Sequence, residues 1–158
     1  MKTAKVRKAA DAVRKRLEAE KNNAKIDAVF RKITKRVLRE TSDRVLVTPA
    51  IFHDVGGFGK RFLDGESSVR TFEALYASHV AYGTDDSADY ILAEVARLED
   101  GFPCMINCHS YLFHCGDAEG LYRALKTMLS LKSTAAAFEE LMDDDRRGSD
   151  PDRCRRPS

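Results

Sequence analysis

Apolar side chains at Val6, Ala10, Val13 and Leu17 recur at intervals of four, three and four, one stripe of a helix over residues 3–21. Asn22-Asn23 reads as an interruption and as the cap of a second helix, where Ile26, Phe30, Ile33 and Val37 repeat the spacing. Thr41-Ser42-Asp43 ends this helical half. The period then falls from 3.6 to 2. RVLVTPAIF (44–52) reads as a strand, with Pro49 marking an edge or a bulge. Asp54-Val55-Gly56-Gly57 is a turn, FGKRFLD (58–64) a second strand, and Gly65-Glu66-Ser67-Ser68 another turn. VRTFEALY (69–76), HVAYG (79–83), YILAEVARL (90–98) and CMINCHSYLFHC (104–115) complete about six short strands separated by polar turns. After Gly116-Asp117, the second residue a candidate N-cap, Ala118, Leu121, Leu125, Met128 and Leu131 form a last helical stripe. Ser133-Thr134 either caps a continuation, AAAFEELM, or marks a kink. Residues 143–158, charged and interrupted by Gly and Pro, are expected to be disordered.

The chain therefore divides into a basic helical arm (1–23), a domain over 24–142 and a charged tail (143–158). Its class is α+β, with one antiparallel meander between helices. At 158 residues, 43% apolar and 33% charged, it has the size and composition of one globular domain. No run reaches the roughly 18–20 apolar residues of a membrane span. The opening residues lack the apolar core of a secretory signal. Asp11, Glu18 and Glu20, with no serine, also set them apart from a mitochondrial presequence. The cysteines do not suggest a disulfide framework, so a reducing, cytoplasmic setting is expected. The net charge of +2 conceals an asymmetry: residues 1–44 carry +9 and the remainder −7. A basic arm on an acidic body suits an acidic surface as partner, or is simply a solvated helix face.

Cys104, Cys108, His109, His114 and Cys115 invite a metal or a thiolate-imidazole reading. As one strand, residues 106–115 would separate His109 from Cys115 by roughly 20 Å, whereas zinc ligands all lie within roughly 2.3 Å of the ion. No metal, no cofactor and no catalytic residue is expected, and the protein is read as not an enzyme. VGGFGKR (55–61) lacks the spacing and the Ser or Thr of a phosphate loop and reads as a hairpin turn.

From about 44 to 131 the chain resembles the phosphotyrosine-binding, or phosphotyrosine-interaction, domain family (PTB/PID). HVAYGTDD (79–86) is similar to that family's strand and turn preceding its YIAR-like strand, and YILAEVAR (90–97) to that strand itself. SYLFHC (110–115) stands where the family has CHVFEC, with Asn107-Cys108-His109 as a second register for the Cys-His pair. AEGLYRALKTML (118–129) matches its closing helix. Two features depart from the family: no YLG-like first strand lies upstream of residue 24, and Leu129 replaces the helix's groove phenylalanine.

The resemblance implies a PH-like antiparallel sandwich or partly open barrel capped by the C-terminal helix. It also implies a signalling adaptor that binds an extended NPxY-type peptide by strand addition. The receiving edge would be Val80, Ala81, Tyr82, Gly83 and Thr84, and the opposite wall Leu121, Leu125, Met128 and Leu129. Core packing is the alternative role for these helix positions. A second expected partner is a phosphoinositide or acidic membrane surface, held by Arg31, Lys32, Lys35 and Arg36. Nucleic acid is not expected. Localisation would then be cytoplasmic, with membrane association under the second reading.

Overall fold

A computed structural model of the protein describes residues 2–54, 70–82, 90–109 and 111–147. The two expected N-terminal helices are one, α1 (Lys2–Glu40). No proline or glycine occurs between residues 2 and 40 to break it. The asparagines that read as an interruption find partners without leaving the helix. Asn23 Nδ2 donates to the Ala19 carbonyl at 2.9 Å, and Asn22 Nδ2 to the Asp100 carbonyl at 3.0 Å. The helix ends where Ser42 and Asp43 turn left-handed, φ 53° and 59°. The Asp43 amide returns to the Leu38 carbonyl at 2.7 Å, closing the last turn without a glycine.

Among the described residues five strands follow: β1 (Val45–Asp54), β2 (Arg70–His79), β3 (Ile91–Leu98), β4 (Gly101–Cys108) and β5 (Tyr111–Cys115). Each pairs antiparallel with the next, so their order in the sheet is their order in the chain. Two expectations are corrected. HVAYG is not a strand, because β2 runs on to His79 and Val80–Tyr82 form the turn after it. Residues 104–115 are not one strand but most of a hairpin, reversing at His109, whose φ is 51°. Cys104 thereby lies opposite Cys115, and Cys108 opposite Tyr111. The expected strand at 58–64 lies outside the described residues.

The sheet buries one face. Val45, Val47, Leu75, Ala77, Ala93, Val95, Cys104, Ile106 and Cys115 point to the same side and join a single core with the helices. α1 contributes Ile26, Val29, Phe30, Ile33 and Val37. The helix α2 (Ala118–Leu129) starts at Asp117, whose carboxylate accepts the Gly120 amide at 2.7 Å, as its sequence foretells. A third helix, α3 (Lys132–Arg147), begins after a short turn, across which the buried Thr134 hydroxyl donates to the Met128 carbonyl at 2.8 Å. It fixes Leu141 in the core and carries helix past the expected boundary at residue 143. Residues 148–158 lie outside the described residues. The class is α+β. Among the described residues the sheet is single and open, with β1 and β5 as its edges, rather than closed into a barrel.

The β3–β4 turn fixes α1 against the sheet. Gly101 has φ +87°, and a Cβ there would stand 2.8 Å from Asn22 Cβ. Beside it Arg97 Nη2 reaches Glu73 Oε1 at 2.6 Å and Asp27 Oδ1 at 2.8 Å, while Nη1 donates to Asn23 Oδ1 at 3.2 Å. The guanidinium also lies over the Phe30 ring, 5.4 Å from its centroid. Burial opposes the charge of Arg97, but the bonds to Glu73 and Asp27 outweigh it and push its pKa further up.

Candidate functional site: the β1 edge and its groove

Backbone groups along a strand face alternately toward and away from a given neighbour. The Arg44 carbonyl accepts the Val80 amide, on the β2 side. The next residue therefore faces the open edge, and with it Val47, Pro49, Ile51 and His53. Two bonds agree with this phase. The Val45 amide donates outward to Thr41 Oγ1 at 3.1 Å, and the Val47 carbonyl accepts Thr34 Oγ1 at 2.6 Å. Pro49, next in the row, has no amide to offer, as befits an edge proline. The outward groups of Ile51 and His53 meet no partner among the described residues, and the Ile51 side chain is 59% exposed.

Beside this edge lies an open groove of about 400 Å³, lined from α1 by Asp27, Phe30, Arg31, Thr34 and Lys35 and from β1 by Thr48 and Pro49. Phe30 and Pro49 give it an apolar floor, and Arg31 and Lys35 a cationic rim. The Arg97 network closes the Asp27 end. Arg31 and Lys35, expected as lipid contacts, thus stand together at the groove. Lys32, from the same set, is exposed but is not part of the groove lining, and Arg36 is engaged with Glu40 at 2.8 Å.

The residues expected to receive a peptide lie elsewhere. Val80 and Tyr82 are exposed in a compact turn, with the Ala81 amide on His79 Nδ1 at 3.0 Å and the His79 and Tyr82 rings 4.8 Å apart. They do not form an edge strand, because β2 pairs with β1 throughout its length and ends before them. Gly83 and Thr84 lie outside the described residues. Leu121, Leu125 and Met128 are fully buried in the core and leave no groove wall, while Leu129 is half-buried. The apolar stripe of α2 is consumed by α1 and by the β4–β5 side of the sheet.

Cys104, Cys108 and Cys115 are buried and free. Burial, with Cys115 beside it, pushes the Cys104 thiol up to about 11, and burial also raises Cys108 and Cys115. A nucleophilic thiol needs the opposite shift. His109 is exposed on the hairpin turn. No group of three or more His, Cys, Asp or Glu side chains among the described residues could hold a metal ion, and none of the described helices is long and apolar enough to cross a membrane.

Pro49 was the sequence's signal for this site. Phe30 and Thr34 were legible only as helix positions. No protein-family model matches the chain, and neither a curated protein nor a solved structure does.

Proposed function

We propose that the protein is a non-catalytic adaptor domain that takes an extended peptide by strand addition, the mode of the PTB/PID family its sequence resembles. The observation that carries the reading is the run of outward-facing groups at Ile51 and His53 beside the groove between α1 and β1. Strand addition needs an edge with unmet donors and acceptors and a neighbouring wall to read side chains. Among the described residues the β1 edge has both features, whereas Val80–Tyr82 form a turn rather than an edge strand. The incoming peptide places an apolar side chain over Phe30 and Pro49, and a carboxylate or phosphate near Arg31 and Lys35. An NPxY-type segment, phosphorylated or not, is the peptide class to test first.

A PH-like relationship and a cytoplasmic setting belong to the same reading. Support for the first is the antiparallel meander followed by the amphipathic α2 with its Asp117 cap.

The test is fluorescence anisotropy with a panel of NPxY-type peptides, with and without phosphate, against wild type, Ile51→Pro and Tyr82→Ala. Proline at 51 removes an outward amide without touching the β2 ladder, so the fold survives and affinity falls about tenfold or more. Tyr82→Ala binds as wild type. Undiminished binding by Ile51→Pro, or no binding of any peptide to wild type, refutes the assignment.

A further inference from the structure

The first half of α1 stands clear of the body. From Lys2 to Lys21 every residue except Ala19 is exposed, about 30 Å of helix at 1.5 Å per residue. This half nevertheless carries the stripe of Val6, Ala10, Val13 and Leu17, with Val6, Val13 and Leu17 each at least 59% exposed. Its direction follows from helix geometry. At about 100° per residue, the nine positions from Leu17 to Ile26 amount to about two and a half turns. Leu17 and the buried Ile26 therefore lie on opposite sides of one continuous helix, and Val13 and Ile33 are related in nearly the same way. The side that continues the buried stripe carries Lys8 and Lys15 instead. The apolar face thus changes sides near Asn22-Asn23, and the free half cannot lay its stripe on its own sheet.

The charges around the stripe select the occupant. Residues 2–21 hold eight Lys or Arg against three Asp or Glu. Lys2, Lys5 and Arg16 flank the stripe on one side, where Arg16 pairs with Glu20 at 3.5 Å, and Arg7, Arg14 and Lys21 flank it on the other with no acid among them. A second copy packed stripe to stripe would bring these cationic rows together. A nucleic acid would use the charges and leave Val6, Val13 and Leu17 in water. An anionic bilayer uses both: the apolar residues enter the headgroup–acyl boundary, and the Lys and Arg stems lie along it with their charges among the headgroups.

We infer that residues 2–21 form an interfacial helix that docks the protein on anionic lipid bilayers, with Val6, Val13 and Leu17 facing the lipid. With so little apolar area, the attachment depends on lipid charge and on salt. The inference uses no residue of the α1–β1 groove, so it stands or falls apart from the peptide reading.

The test is co-sedimentation of the full chain with vesicles of phosphatidylcholine alone or with about 30% phosphatidylserine, at about 0.1 M and 0.5 M salt. Wild type should partition at least about tenfold better onto the anionic vesicles at low salt and lose that preference at high salt. The double variant Val13→Asp/Leu17→Asp should bind vesicles about tenfold less while still binding soluble heparin. Because both positions are exposed, its urea midpoint should match wild type, which separates lost docking from lost folding. Equal partition onto neutral and anionic vesicles overturns the inference. So does unchanged vesicle binding by the double variant, or retention on duplex DNA without retention on vesicles.

Discussion

Replacing Gly101 with alanine tests how tightly α1 is seated on the sheet. Two costs add at this position. A non-glycine residue at φ +87° carries about 1 kcal/mol or more of backbone strain. The new Cβ would also lie 2.8 Å from Asn22 Cβ, 3.3 Å from the Asn23 backbone nitrogen and 3.4 Å from the Asn22 carbonyl carbon. None of these is the end of a side chain that could swing aside. Either the turn or the helix must move by several tenths of an ångström, and overpacking of this kind costs about 1–3 kcal/mol. The movement also strains the Asn22–Asp100 bond and the Arg97–Asn23 bond. The sum is about 2–4 kcal/mol. In urea unfolding followed by circular dichroism, with a slope of about 2 kcal/mol per molar, the midpoint should fall by about 1–2 M. Gly116→Ala is the control: nothing stands within 4 Å of its added Cβ, and it should stay within about 0.5 kcal/mol of wild type. If Gly101→Ala is as mild as Gly116→Ala, α1 does not rest on the β3–β4 turn, and the groove built on that contact loses its footing.

Leu125→Ala removes a fully buried side chain of α2 and should cost about 2–5 kcal/mol in the same assay, with Leu129→Ala, half-buried, costing less. A loss under about 1 kcal/mol at Leu125 would return it to a groove role. The Cys104 thiol stays protonated in the folded state up to about 11, against 9.0 for the free group. Its contribution is therefore complete below pH 9 and is lost as pH rises through about 11, on the order of 2 kcal/mol across that window. Urea midpoints of wild type and Cys104→Ser at pH 8 and pH 10.5 check this: the serine variant should show less alkaline destabilisation, and equal slopes would refute it.

Much of this fold is legible in the sequence because local and tertiary preferences agree. The alternation in 44–52 and 90–98 has a buried face to serve, and Asp117 stands before a stripe that needs burial. Where the reading fails, a distant partner decides. Asn22-Asn23 looks like a break until Asp100 and Arg97, more than 70 residues away in the chain, accept and donate to the two side chains. The half-turn between the two apolar stripes of α1 looks like two helices for the same reason. His109 takes the left-handed turn without the Asn-Gly or Gly that would announce a hairpin. Reading 104–115 as a single strand concealed the Cys104–Cys115 pairing. The groove is the hardest part to foresee. Phe30 and Thr34 belong to it only because α1 lies along β1, and no spacing within either element encodes that.

The threonine caps on β1 also bear on self-association. An uncovered sheet margin invites another copy of the same margin to zip against it, the first step toward fibrous aggregates. Here Thr41 and Thr34 occupy the beginning of the row and Pro49 silences its middle, so among the described residues the outward groups that remain are those of a short terminal stretch at Ile51 and His53. A stretch that short is too brief to template a growing stack, and under the proposed function it need only fix the register of a single visiting segment.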